Sequence, residues 1–194
     1  LLLAIYIAQS LGKEDKDYHE LIVGISNLPN QIEMILKDEK IFENYAKYLQ
    51  DQHDAYFIGR NLDYAIVLEG ALKLKEVSYI HGDAYIAGEL KHGPIALIEE
   101  GSVVIAVATQ PEVACKTISN IQETIARGAR VILFTLGNQQ VNNVNEIYYM
   151  PDVNPILQTI LVAIPLQLIS YYAAKLKGCD IDKPRNLAKS VTVE

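Results

Sequence analysis

Tryptophan is absent from the 194 residues and cysteine occurs only twice. Cys115 and Cys179 can close at most one bridge and have no metal-type spacing. A disulfide framework and a zinc site are therefore excluded, and a reduced, cytoplasmic compartment is the expectation. Positive charge is also short: 17 Lys and Arg stand against 24 Asp and Glu, a net charge of −7. That balance argues against nucleic acid or an anionic membrane as a partner, and leaves a small anionic ligand held by a few local cations. There is no P-loop, GxGxxG, HExxH or GxSxG, and no internal repeat or low-complexity segment. The chain opens on Leu1 and no basic stretch precedes the apolar run Leu1 to Ala8. A secretory signal fits poorly, and the chain reads as a segment of a longer one.

Half of the residues are apolar and 21% are charged, the balance of an ordinary globular protein long enough for one large core. After Leu11 the chain turns polar through Gly12, Lys13, Glu14, Asp15, Lys16 and Asp17, as a connector does. From Pro29 to about Gln50, apolar residues recur every three to four positions, predicting one amphipathic helix or two short ones. Strands are expected at Ala55 to Ile58, Val103 to Ala108, Val131 to Thr135 and Glu146 to Tyr149. The middle two are continuous apolar runs, suited to a parallel sheet covered on both faces. Helices are expected at Asp63 to His81 and at Pro111 to Arg127, the latter stopped by Gly128. Val153 to Ala174 carries no charge over 22 residues, long enough to span a bilayer. Its polar residues, its Asn-Pro start and Gly178 beyond its end favour a buried helix, bent at Pro165. The fold class is α/β: a three-layer sandwich with a mostly parallel sheet flanked by helices.

Three stretches carry candidate chemistry. In LEGALKLKE, Leu68 to Glu76, helical spacing brings Glu69, Lys73 and Glu76 within roughly 60° on one face. The triad reads either as a solvated face with an i,i+4 pair or as a carboxylate beside a cation in a cleft, able to move a proton. In AGELKHGP, Ala87 to Pro94, two glycines and a proline enclose Glu89, Lys91 and His92 on an irregular segment. His92 is the best general acid/base candidate, and a backbone-capping histidine is the other reading. His19, His53 and His81 read as surface or helix-end residues. The tail PRNLAKSVTVE, Pro184 to Glu194, belongs to a last stretch with five cations and three anions from Lys175 onward. It reads as a frayed end or as a segment that docks through Leu187, Ala188, Val191 and Val193, bringing Arg185 and Lys189 to an anionic sugar. With few internal partners in the pattern, it is expected to be mobile without ligand. A sugar phosphate needs a cradle of N–H groups and hydroxyls. Yet the strands lead into Gly59-Arg60-Asn61, Thr109-Gln110-Pro111 and Leu136-Gly137-Asn138, none of them a Ser/Thr-rich loop.

In order and in register, these three stretches resemble the C-terminal part of the glutamine:fructose-6-phosphate amidotransferases (glucosamine-6-phosphate synthases), from about Ile25 to Glu194. That family has a glutaminase domain followed by two sugar isomerase (SIS) domains, and this chain resembles the second. The implied division is 1–24 for the end of the preceding SIS domain, 25–182 for the second, and 183–194 for an active-site tail. By resemblance, Glu76 is the base that moves a proton between C1 and C2 of the sugar. His92 opens the fructose ring and reaches the site of a neighbouring subunit. Lys189 closes over the sugar and is a candidate for an imine with its open chain. Glu69 and Lys73 line the site, and Arg185 and Ala188 belong to its substrate-binding tail. The resemblance implies fructose 6-phosphate and glucosamine 6-phosphate as ligands, a homodimer through SIS domains, and no metal or cofactor.

One departure is the loop after the first strand, which reads Gly59-Arg60-Asn61 where many relatives have a second glycine, so a different backbone path is expected there. A larger one is the missing phosphate cradle, which the family carries mainly on its first SIS domain. The chain alone is thus expected to fold but to turn over fructose 6-phosphate negligibly. Two rival readings are a non-catalytic SIS module that binds a sugar phosphate and a stand-alone ketose/aldose isomerase, the latter disfavoured by the absent phosphate loop.

Overall fold

The computed structural model describes residues 1–13, 16–137, 139 and 141–187. Glu14 and Asp15 of the connector, Asn138, and tail residues Ala188, Lys189, Val191 and Val193 lie outside them. Five strands form one parallel sheet: β1 (Asp54–Gly59), β2 (His81–Ile86), β3 (Val103–Ala108), β4 (Arg130–Thr135) and β5 (Glu146–Tyr149), in the order β2-β1-β3-β4-β5. The chain therefore leaves β1 for one edge, through α4 (Leu62–Ser78), and returns to β3 on the other side of β1.

Side chains alternate across the central strands, so two cores form. Phe57, Val103, Ile105, Ile132 and Phe134 face α3 (Glu39–Ala46), α4 and α6 (Pro155–Leu176), along with α2 (Lys16–Lys37). Ile58, Val104, Ala106, Val131 and Leu133 face α5 (Ala114–Ile125) and the segment holding Leu90 and Ile98. Both faces are covered, which is why β3 and β4 are continuous apolar runs. Tyr45 and Tyr148 pin α3 and its entry to β5. The Tyr45 hydroxyl donates to the Ile147 carbonyl at 3.4 Å, and that of Tyr148 donates to Asp38 at 2.9 Å.

All four expected strands are present, and β2 is an addition. The helix read as running to His81 ends at Ser78, where Tyr79 takes a left-handed conformation with φ +62° as the helix cap. His81 then opens β2, an edge strand with one neighbour. Its sequence HGDAYI, half-exposed, carries no apolar run to announce it. Pro29 does not start a helix but lies inside α2, where packing of Leu28 and Ile32 against the core carries the helix across the proline. The division expected after residue 24 falls within α2. α1 (Leu2–Ser10) precedes it and buries none of its residues. α5 begins three residues later than expected, because Gln110 to Val113 form a turn.

The uncharged segment forms α6, with the Asn154 side chain accepting from the Ile156 N–H at 3.0 Å and Pro155 in its first turn. By length and composition it could cross a membrane, yet 56% of its most apolar stretch is buried within this fold, against α3 and α4. The helix runs through Pro165, which is itself buried.

Candidate active site

α4 has one face of Val67, Gly70, Ala71, Leu74 and Ser78, which is buried on β1, β2 and α6. Its approach is so close that a Cβ on Gly70 would stand 2.8 Å from Leu166 Cδ1, and one on Gly82 of β2 would stand 2.9 Å from the Ala71 carbonyl oxygen. Burying that face turns Glu69, Lys73 and Glu76 outward together. The Lys73 ammonium donates to Glu76 Oε2 at 2.6 Å and lies 3.6 Å from Glu69 Oε1. The Glu76 hydrogen bond, and the charges of both carboxylates, raise the Lys73 pKa above its usual value, against a smaller lowering by burial. Among the described residues Glu76 Oε1 has no partner. Among the described residues the carboxylate is thus held through one oxygen only.

Glu76 lines a cavity of about 480 Å³ between the C-terminal half of α4 and the segment after α6, together with Val77, Ile181 to Pro184 and Leu187. The volume suits a small polar ligand. A smaller hollow of about 170 Å³ adjoins it, sharing Val77 and Ile181 and reaching Lys73. Glu76 thus lines the larger cavity and Lys73 the smaller hollow, while their side chains stay partly exposed, 29% and 32% accessible, and Glu69 lines neither.

The far wall is built by the chain doubling back after Gly178, whose φ of +69° needs glycine-type freedom. Asp180 Oδ1 accepts from the backbone N–H groups of Asp182 and Lys183, tightening the turn. The Arg185 N–H donates to the Tyr79 hydroxyl at 2.8 Å, and its guanidinium sits 4.1 Å from the Tyr79 ring centroid. The tail was expected to have few partners of its own, but through Leu187 it is laid on the end of α4. Arg185 is stacked on that end and is absent from the cavity lining, while Ala188 and Lys189 lie outside the described residues.

His92 ends a short 3-10 turn, Leu90–His92, after β2, and it is exposed. It does not line the cavity beside Glu76: Glu76 precedes the amino end of β2 and His92 follows its carboxyl end, so within one chain these two candidates sit at opposite ends of that strand. The irregular backbone expected there is observed, with a second 3-10 turn at Pro94–Leu97. Arg60 underlies this loop: its Nη2 donates to Asn120 at 2.9 Å, and a Cβ on Gly88 would come 2.3 Å from it.

Asp63 was missed by sequence reasoning. It looks like an acidic residue of a helix first turn, but it is completely buried and accepts hydrogen bonds from Thr109 and Gln110. Burial pushes its carboxyl above the usual range, outweighing those bonds, which favour the ionised form. The only sequence signal was an Asp placed just past a strand end, opposite a Thr-Gln pair.

A single parallel five-stranded sheet flanked by helices, with a partly closed cavity at one helix end, defines the class, and residues 48–177 match the SIS domain family. The chain belongs to that family. Within it, the chain is 50% identical over 196 residues to glutamine–fructose-6-phosphate aminotransferase (isomerizing) of Clostridium tetani and 52% identical to that of Symbiobacterium thermophilum. Each alignment covers all of this chain and 32% of the relative, so the chain spans about a third of the length of these curated relatives. Among solved structures, the C-terminal domain of glucosamine-fructose-6-phosphate aminotransferase from Francisella tularensis superposes with a TM-score of 0.86 at 34% identity. That match covers 93% of this chain and 52% of that one.

Proposed function

We propose that this chain is the C-terminal isomerase part of a longer cytoplasmic enzyme that converts fructose 6-phosphate and glutamine into glucosamine 6-phosphate and glutamate. Glu76 is the base. With Oε2 tied to Lys73, its Oε1 takes a proton from C1 of the ketose imine and returns it to C2, giving the amino-aldose. The Lys73 ammonium positions that carboxylate and lies where it can offset negative charge developing along the sugar chain. Glu69 supports Lys73 from the preceding turn. Arg185, Ala188 and Lys189 belong to the tail that closes on the sugar, Lys189 being the candidate for an imine with the open chain. His92, distant from Glu76 in its own chain, serves ring opening in the site of a second copy, which makes a homodimer the working form. The phosphate is gripped by the part of the longer protein outside this chain, and this chain alone turns over fructose 6-phosphate negligibly.

The observation that carries this reading is the half-tethered Glu76 carboxylate on the wall of a cavity of about 480 Å³ whose other wall is the tail. The test is Glu76→Gln in the complete protein. Loss of a positioned base should lower the synthesis rate by at least ~100-fold, with substrate binding retained. A rate within a few-fold of the parent would refute the assignment and favour a sugar-phosphate-binding module without chemistry.

A further inference from the structure

In parallel sheets of strand order 2-1-3-4-5, ligands settle in the crevice outside the carboxyl ends of the two strands where the chain switches direction. Here those strands are β1 and β3. Loop N–H groups at that place form the usual cradle for phosphate. The loop after β3 does present such donors at one point. The Thr109 N–H lies 2.8 Å and the Gln110 N–H 3.1 Å from a single oxygen, Asp63 Oδ2, while the Thr109 hydroxyl donates to Oδ1 at 2.5 Å. Three donors thus converge on an anion, and that anion comes from the same chain. It is delivered from the other side of the switch, by the first turn of α4. That turn can close on β1 because Gly59 has no side chain: a Cβ there would stand 2.6 Å from the Asp63 carbonyl carbon. Both Asp63 and Thr109 are wholly inaccessible to solvent. Outside them, the crevice of about 240 Å³ is lined by Asn61, Gln110, Pro111, Glu112 and Pro155, with an added carboxylate and no cation.

We propose that Asp63 is a built-in anion that occupies the phosphate-type cradle at this domain's switch point and closes the crevice to phosphorylated ligands. An incoming phosphate would have to expel the carboxylate from its three donors and leave it buried beside a second negative charge. Asp63 thereby acts as a specificity determinant: of the two cavities at the ends of α4, only the one beside Glu76 accepts the sugar. That consequence rests on the function proposed above, whereas the occupied cradle does not.

The test is inorganic phosphate added to the 194-residue chain at constant ionic strength, with chloride as the control. Binding is read from the Thr109 and Gln110 amide resonances and from thermal unfolding. In the parent chain these amides should stay in place, and phosphate should raise Tm no more than chloride does. Asp63→Ala frees the donors. It should unfold at lower temperature in chloride, bind phosphate saturably with shifts at Thr109 and Gln110, and gain about 4 °C in Tm at ten times Kd. Phosphate-dependent movement of those amides in the parent would overturn the proposal, because the cradle would then be open. So would an Asp63→Ala chain that gains nothing from phosphate, or that stays unfolded in both salts, because donors that form an anion cradle are rescued by an anion.

Discussion

Replacing Asn61 by glycine should stabilise the chain, although it removes a side chain from a helix N-terminus. Asn61 links β1 to α4 with φ +52° and ψ −125°, a combination that crowds any Cβ. Residues held in such regions cost of order 1–3 kcal/mol. Its side chain makes no capping hydrogen bond to α4, so little is lost with it, and its carbonyl, which accepts from the Tyr64 N–H at 3.1 Å, remains. Against the relief stands the extra freedom of glycine in the unfolded chain, about 0.4–1 kcal/mol. The net gain is about 1 kcal/mol, or about 3 °C in Tm for a chain of this size. Thermal and urea unfolding of Asn61→Gly beside Asn61→Ala measure it. Alanine keeps the Cβ and should gain nothing. A glycine variant less stable than the parent, or an alanine variant as stable as the glycine one, would refute the strain argument.

Gly59→Ala should cost about 2 kcal/mol or more, since its Cβ would meet the Asp63 and Tyr64 backbone at 2.6 to 2.9 Å and neither can step aside. Urea unfolding reads it, and a change below 0.5 kcal/mol would show that the first turn of α4 is free to move. Lys73→Ala separates the two readings of the triad. In a partly exposed ion pair it should alter stability by less than about 1 kcal/mol, while lowering the synthesis rate of the complete protein by about 10-fold or more through a misplaced Glu76. Equal stability with unchanged rate would return the triad to a solvated face. Burial first, then Glu146 and Tyr48, push Tyr45 up to about 12, and burial first, then the hydrogen bond and charge of Asp83, push Tyr85 up to about 12. Because the folded values lie above the unfolded one near 10, the stability these hydroxyls supply is complete below pH 10 and lost as pH rises through 12. Alkaline unfolding should therefore shift upward in Tyr45→Phe, and absorbance titration should show these tyrosines ionising late. Ionisation of Tyr45 near pH 10 in the folded chain would contradict this.

How much of this was legible depends on what each residue is surrounded by. β3 and β4 announce themselves because both faces are buried, and the polar residues and Asn-Pro start of α6 pointed to a helix packed within the fold, in keeping with its contacts with α3 and α4. β2 was hidden because an edge strand with one neighbour needs no apolar run, and because Tyr79, not a glycine, breaks the preceding helix. The triad was visible as a face of α4, but helical spacing cannot show what stands opposite. The far wall depends on a chain reversal at Gly178 and on Arg185 meeting Tyr79, contacts across about a hundred residues. Asp63 was invisible for the same reason, since its partners follow a different strand. The separation of His92 from Glu76 is likewise a matter of tertiary placement.

The central claim is that Glu76 is the proton-transfer base, and a structure of the longer protein with fructose 6-phosphate bound tests it most directly. The distance to read is that from the Glu76 carboxylate to C1 and C2 of the sugar. The open chain should lie in the cavity under the tail, with a Glu76 oxygen within about 3.5 Å of both carbons. A sugar seated with C1 and C2 beyond reach of Glu76, or held at the Asp63 crevice instead, would contradict it.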